Sequence, residues 1–200
     1  MKNTLWIGLA VAALSGSAFA QAPSVTPISV RAGYSYLANG DSRDFSHPSG
    51  YTLGAGIGCP LKFGGGDVSF DVDWDSHHGN GNTIESLGFQ GVIRMPFMMQ
   101  VGTPMGNVGP YYGFGLGVFH DRVSGSTASQ VVPTNGRIPL PRGGAVQSTS
   151  FSDTATRFGG SVLVGFHFTN MASAELFYRM SGSVDGFRSD TVGVSVSVKF

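Results

Sequence analysis

The sequence predicts an all-β fold, an eight-stranded antiparallel up-and-down transmembrane β-barrel. Eight segments after residue 20 alternate apolar side chains with small or polar ones, which is the period-two pattern of β-strands. One face of these segments carries no charged residue. After residue 20 no apolar stretch has the length of a membrane helix, so a membrane span has to be made of strands.

The first twenty residues have the layout of a secretory signal peptide. Lys2 supplies the positive start, an apolar run follows from Leu5 to Leu14, and Ala18-Phe19-Ala20 is a small-x-small cleavage site. Residues 1–20 are therefore predicted to be the signal peptide, and residues 21–200 the barrel domain. The alternative, an uncleaved anchor, is disfavoured because the apolar run is short for a membrane span.

The predicted strands each have about the nine to eleven residues that a tilted barrel strand needs to cross the hydrocarbon layer. Clusters of Gly, Asn, Pro, Ser and Asp separate them. They cover Ile28–Leu37, Tyr51–Cys59, Val68–Asp75, Ser86–Met95, Pro110–Phe119, Arg157–Phe168, Ala172–Ser181 and Thr191–Phe200.

The polar face of these strands is built from Gly, Ser and Thr, with a few charges of both signs. Small residues and opposite charges suit the crowded interior of a narrow barrel better than a solvated surface. A polar interior inside an apolar outer band is the arrangement of a membrane barrel. The charges predicted to line the lumen are Arg31, Asp71, Asp73, Asp75, Arg94, Arg157, Glu175, Arg179 and Lys199.

These inward charges are expected to pair, because an isolated charge in a low-dielectric interior is costly. The three aspartates of the third strand are predicted to meet Arg157 and Arg94. Glu175 is predicted to meet Arg31 or Lys199. The charges could form a gated or selective pore, or a polar plug that fixes strand register. Eight strands favour the plug, since barrel diameter grows with strand number.

Aromatic side chains are predicted near both rims, as in the girdles of membrane barrels. One rim would hold Tyr36, Tyr51, Trp74 and Phe158, and the other Tyr112, Phe166, Phe168 and Phe200. Cys59, the one cysteine, is interpreted as a small hydrophobic residue of the lipid face.

Three stretches resemble a known group of proteins. The terminal run Val192, Val194, Val196, Val198 and Phe200 resembles the assembly signal of bacterial outer-membrane barrels. Residues 109–117, Gly-Pro-Tyr-Tyr-Gly-Phe-Gly-Leu-Gly, resemble a strand of the small barrels of the OmpA transmembrane-domain and OmpX kind, and residues 169–179 do so as well. The resemblance covers residues 25–200.

The resemblance implies an outer-membrane location, with both chain ends toward the periplasm. It also implies a structural, adhesive or envelope-interaction role, with a narrow pore or small-molecule transport barrel as the alternative. The implied partners are outer-membrane lipid and lipopolysaccharide, and the barrel-assembly and periplasmic chaperone machinery. Surface loops are expected at 38–50, 76–83, 121–156 and 182–189, and the third could bind a surface ligand. Periplasmic turns are expected near 61–66, 96–108 and 169–171.

Other functions find less support in the sequence. Twelve basic residues balance twelve acidic ones, which leaves no basic footprint for nucleic acid. Asp71, Asp73, Asp75 and His77 share one face near His47, His78 and His120, but without repeated ligand spacing no metal site is predicted. The alternating glycines at 54–58 and 113–117 lie within strands, unlike a nucleotide loop, and no cofactor is predicted.

An enzymatic alternative concerns the segment His167-Phe168-Thr169-Asn170. It faintly resembles the His-x-Ser-Asn motif of lipid A deacylase barrels, with Thr169 in place of the serine nucleophile and Glu175 as the acid. The threonine and the position at a periplasmic turn count against it. The chain is therefore predicted not to be an enzyme, and no catalytic residue is predicted.

Overall fold

The alternating segments fold into long antiparallel strands in the structure, a computed structural model that describes residues 26–97, 101–104, 106–129, 147–181, 183–184 and 187–200. The predicted signal peptide lies outside these residues. The elements are β1 (Ile28–Leu37), α1 (Gly40–Phe45), β2 (Ser49–Phe63), β3 (Gly66–Gly79), β4 (Asn82–Pro96), β5 (Val101–Thr103), β6 (Gly106–Ser129), β7 (Gln147–His167), β8 (Ala172–Met180), β9 (Ser183–Val184), β10 (Phe187–Arg188) and β11 (Thr191–Lys199).

Eight of these strands close into a ring. Their hydrogen-bonded order is β4-β3-β2-β1-β11-β8-β7-β6, and β6 pairs with β4 to complete it. The first and last strands meet where the Ile28 and Phe200 amides and carbonyls exchange hydrogen bonds of 3.2 and 2.8 Å. The predicted eight-stranded antiparallel barrel is confirmed. Closure pairs the strands with one another around the ring, as hydrocarbon requires, and β7 extends beyond this pairing at its start, before Gly160.

The barrel has two ends, which differ in their connections. At the terminal end β1 begins, β11 ends, and glycines 64 and 65 form a tight turn with positive φ angles. At the loop end lie α1, the turn between β3 and β4, and β9 with β10. Among the described residues, no helix is both long enough and apolar enough to cross a membrane.

The apolar face of the strands points outward. Phe70, Val194 and Leu176 expose half or more of their side chains, whereas Arg31 and Asp71 on the opposite face are buried. Both predicted aromatic groups lie on the outside, with Tyr51 exposed toward the loop end and Phe168 toward the terminal end. Greasy side chains therefore surround a polar lumen.

Several strands run further than the sequence pattern predicts. Residues 76–83, predicted to be a loop, extend β3 and β4 up to a two-residue turn at Asn80-Gly81, where both φ angles are positive (55° and 76°). Asn-Gly favours this hairpin turn, whose twist matches that of the strands. Within the predicted loop 121–156, β6 continues to residue 129 and β7 starts at 147, in register throughout.

An apolar cluster lies above the lumen at the loop end. Leu37, Ile84 and Val123 are buried together, and Phe45 of α1 and Phe151 of β7 pack on them. The Phe45 and Phe151 rings are tilted, with centroids 5.8 Å apart. Helix α1, inside the predicted loop 38–50, therefore lies over the barrel mouth.

Candidate functional site

The centre of the lumen holds a continuous chain of ion pairs, here called the charge ladder. Acids and arginines alternate along it, so each inner member touches two opposite charges. Its order is Glu175–Arg94–Asp71–Arg31–Asp73–Arg179–Asp75.

Three steps of the ladder come from one strand. Asp71, Asp73 and Asp75 occupy every second position of β3, and a strand turns alternate side chains to the same face. Arg31, on β1, reaches across β2 to two of them, with Nη1 2.8 Å from Asp71 Oδ2 and Nε 2.7 Å from Asp73 Oδ1. Glycines of β2 provide the space that these side chains occupy, because a Cβ at Gly54 would collide with Asp73 Oδ1.

The other two arginines extend the ladder across the lumen. Arg94 Nη2 lies 2.9 Å from Asp71 Oδ2, and its Nε lies 2.7 Å from Glu175 Oε1. Arg179 Nη2 lies 3.1 Å from Asp73 Oδ1, and its Nη1 lies 2.6 Å from Asp75 Oδ2. The ladder thereby ties β1, β3, β4 and β8 together.

Neutral polar groups complete the network, and the sequence reasoning did not identify them. Gln90 Nε2 donates to Asp73 Oδ2 (3.0 Å), and Ser161 Oγ donates to Gln90 Oε1 (2.7 Å). Tyr111 OH donates to Glu175 Oε1 (2.8 Å). Each of the three lies an even number of positions from charged or small inward residues of its own strand. This strand parity indicates that their side chains face the lumen.

Burial makes these contacts matter for stability. Arg31, Asp71 and Glu175 expose 6% or less of their residue surface. Removing one partner from such a pair costs about 3–5 kcal/mol, because the remaining charge stays buried without compensation. The members of the ladder therefore depend on one another for the stability of the fold.

Apolar side chains fill what the ladder leaves open. Val92, Tyr111, Leu163 and Phe177 form a buried cluster in the lumen. The space left between the ladder and this cluster is about 10 Å³, roughly the room of one water molecule. The polar face is thus less uniformly polar than the sequence indicates.

Two of the nine predicted lumen charges lie outside the ladder. Arg157 is exposed at the loop end and forms no ion pair with any residue that the structure describes, so its predicted pairing with the aspartates is wrong. Lys199 lies half-buried at the terminal end, and Glu175 contacts Arg94 instead of Lys199 or Arg31. Strand stagger around the ring decides these pairings, and the sequence pattern does not reveal it.

The residues of the enzymatic alternative have other partners. Thr169 Oγ1 accepts hydrogen bonds from the amides of Met171 (3.1 Å) and Ala172 (2.9 Å) and so shapes the turn. His167 stacks on the Tyr111 ring, with centroids 4.1 Å apart. Within the described ranges, no hydrogen bond joins His167 to Thr169 or Glu175, so the triad geometry is not formed.

The histidines near the loop end also have structural partners. His77 contacts Ser35 Oγ (3.2 Å) through Nε2 and the Pro48 carbonyl (3.1 Å) through Nδ1. In the part of the chain that is described, no three His, Cys, Asp or Glu side chains are grouped to hold a metal ion.

One buried acid stands apart from the ladder, in a segment that the sequence predicts to be a loop. Asp121 of β6 is fully buried, and neither carboxylate oxygen has a hydrogen-bond partner in the described structure. The next outward side chains, His120 and Arg122, are exposed and polar, so Asp121 lies beyond the apolar band. Burial raises the pKa of Asp121 to about 6, and the nearby hydroxyls of Ser86 and Ser181 limit the rise.

Comparison with known proteins identifies the family to which this barrel belongs. The profile of the family described as "Outer membrane protein beta-barrel domain" matches residues 7–200. The chain belongs to this family. Its barrel therefore lies in the outer membrane, surrounded by lipid. The predicted location and the predicted family resemblance are confirmed.

Solved structures share the barrel's fold at low sequence identity. The N-terminal β-barrel domain of Pseudomonas aeruginosa OprF is 14% identical with a TM-score of 0.52, over 88% of this chain and 98% of that one. Ail, the attachment invasion locus protein of Yersinia pestis, is 11% identical with a TM-score of 0.51, over 88% of this chain and 100% of that one. No curated protein sequence matches the chain.

Proposed function

We propose that this outer-membrane barrel has a structural, adhesive or envelope-interaction role, and is neither a pore nor an enzyme. The observation that carries the proposal is the charge ladder that crosses the lumen. Three arginines and four acids occupy its centre, and about 10 Å³ remains between them and the apolar cluster. A hydrated ion cannot pass through a space of this volume, because conduction needs a continuous water-filled path through the lumen.

The loop end supports the interaction role. Beyond the apolar band, β6 and β7 continue as a two-stranded ribbon to residues 129 and 147. The pairing of β7 with β8 begins only at Gly160, so within the described residues the β7 edge from 147 to 159 has no ladder partner on that side, although β9 contacts β7. An open strand edge offers backbone donors and acceptors to the extended segment of another protein.

The partners follow from the same arrangement. The terminal end would face the periplasm, and the loop end would meet lipopolysaccharide and surface ligands. Val192, Val194, Val196 and Val198 on the outward side of β11, together with Phe200, would be read by the barrel-assembly machinery after delivery by periplasmic chaperones. Cleavage of residues 1–20 stays a prediction.

Planar-bilayer recording tests the plug. The purified full chain, refolded in detergent and added to the bilayer, is expected to give no single-channel steps. Arg179→Ala, which removes a side chain bonded to Asp73 and Asp75, is the variant most suited to opening the lumen. Ohmic steps from the unaltered barrel would contradict the proposal and favour the pore.

Adherence tests the ribbon edge. Bacteria displaying the full barrel are compared on a cultured cell layer with bacteria displaying Ser152→Lys/Thr154→Lys, since edge lysines oppose strand addition. The control is Ser124→Lys, where β6 has neighbours on both sides at Thr83 and Ser152. Loss of adherence in the double variant alone supports the edge; equal adherence in all three removes it from the proposal.

A further inference from the structure

The terminal end of the lumen contains a cavity that the charge ladder does not fill. Its volume is about 130 Å³, several times the room of one water molecule. Arg31, Arg94 and Glu175 of the ladder line its inner part, and Lys199 and Ser197 of β11 line its sides. A second space of about 210 Å³, which also touches Arg94 and Lys199, adjoins it.

The cavity offers hydrogen-bond donors that the protein does not use. Arg31 Nη2 is buried without a hydrogen-bond partner, although the other guanidinium nitrogens serve Asp71 and Asp73. Lys199 forms no ion pair with an acid in the described part of the chain. The hydroxyls of Ser173 and Ser197, 2.6 Å apart, lie on the same wall. Two unused cationic donors and a pair of hydroxyls are groups suited to binding an oxyanion.

Two carboxylates line the cavity. Asp67 is exposed and pairs with Lys62 (3.7 Å), whereas Glu175 is buried and narrows the choice of oxyanion. Glu175 Oε1 accepts hydrogen bonds from Arg94 and Tyr111, but no described residue donates to Oε2. An anion beside a carboxylate is repelled unless it can donate a proton to it. Hydrogen phosphate keeps a P–OH donor at neutral pH, whereas sulfate and phosphate diesters, such as phospholipid headgroups, have none.

We propose that this cavity binds inorganic phosphate, held by Arg31 and Lys199 and donating its own hydroxyl to Glu175. The site is distinct from the interaction role of the loop end, because it lies at the opposite end of the barrel. It uses ladder residues in a second capacity: Glu175 and Arg31 each keep one atom free after their ion pairs are made.

Calorimetric titration of the full chain in zwitterionic micelles, free of phosphate, tests the site. Inorganic phosphate is expected to bind at one site per chain, and sulfate and dimethyl phosphate at least about tenfold more weakly. This comparison needs no variant. Absence of saturable phosphate binding, or equal binding of sulfate, would overturn the proposal.

Matched variants locate the binding. Lys199→Gln is expected to weaken phosphate binding by about tenfold or more, whereas Lys199→Arg retains it. Arg157→Gln removes the same charge at the opposite, exposed end and is expected to leave the affinity unchanged. Each variant is first checked by gel electrophoresis for the compact band of a folded barrel, which shifts when the sample is boiled. Equal losses in Lys199→Gln and Arg157→Gln would show a non-specific charge effect and overturn the assignment.

Discussion

Asp121 is a fully buried carboxylate without a hydrogen-bond partner in the described structure, and this makes the barrel's stability depend on pH. Burial raises its pKa from the ordinary value of 3.8 to about 6 in the folded chain. Between these values the folded barrel holds a proton that the unfolded chain has released. The contribution of Asp121 to the free energy of unfolding therefore rises as the pH falls from above 6 toward 4.

The shift sets the size of the effect. About two pKa units correspond to about 3 kcal/mol, since each unit is worth about 1.4 kcal/mol. The other charges that act on Asp121, His120 and Arg157, lower its pKa less than burial raises it. At pH 8 the ionised carboxylate therefore destabilises the fold by about 3 kcal/mol, and Asp121→Asn is expected to remove this penalty.

Urea unfolding in lipid vesicles, followed by tryptophan fluorescence at pH 4, 6 and 8, measures the difference. The stability of Asp121→Asn minus that of the unaltered chain is expected to grow by about 2.5 kcal/mol between pH 4 and pH 8, because at pH 4 the unfolded carboxyl is already partly ionised. Asp153→Asn is the control, because Asp153 is exposed on the neighbouring strand of the same ribbon. A difference that does not vary with pH would refute the reasoning.

Two further substitutions probe the ladder by urea unfolding at neutral pH. Arg179→Met leaves Asp73 buried with less compensation and is expected to lower the free energy of unfolding by about 3–5 kcal/mol. The control Arg122→Met, at an exposed position, should change it by less than about 0.5 kcal/mol. Equal effects of the two substitutions would contradict the ladder's role. Gly54→Ala would push its methyl group against Asp73 Oδ1 and is expected to cost about 1–3 kcal/mol. Gly91→Ala meets nothing within 4 Å and should be nearly neutral, so a comparable loss there would show that the glycines matter for backbone reasons instead.

The location of the polar and apolar faces could be predicted from the sequence, but the pairing of the charges could be predicted only in part. The expected pairing of the third-strand aspartates with Arg94 is found at Asp71, whereas the pairing with Arg157 is not. Asp71, Asp73 and Asp75 alternate with large apolar residues, so strand parity alone puts them in the lumen. Their partners come from other strands, and the stagger around the ring decides which arginine lies at the same depth. That stagger brings Arg94 to Asp71 and leaves Arg157 exposed beyond the ladder.

The strands also run further than the sequence predicts. The predicted strands stop where the apolar alternation stops, because only lipid-facing segments need it. Beyond the band, β6 and β7 are Ser- and Thr-rich and are held by pairing with each other, so their sequence resembles a loop. Asp121 therefore looked like a solvated residue, although the neighbouring strands bury it.

The sequence by itself determined the barrel, because period-two alternation with one uncharged face leaves few other ways to satisfy both lipid and backbone. Only the tertiary structure decided that seven charges form one ladder across the lumen and that Lys199 borders an open cavity while Arg157 faces solvent. It also decided that Asp121 is buried with no hydrogen-bond partner among the described residues. The reason is that facing is a property of one strand, whereas depth and contact depend on how eight strands are staggered around a closed ring.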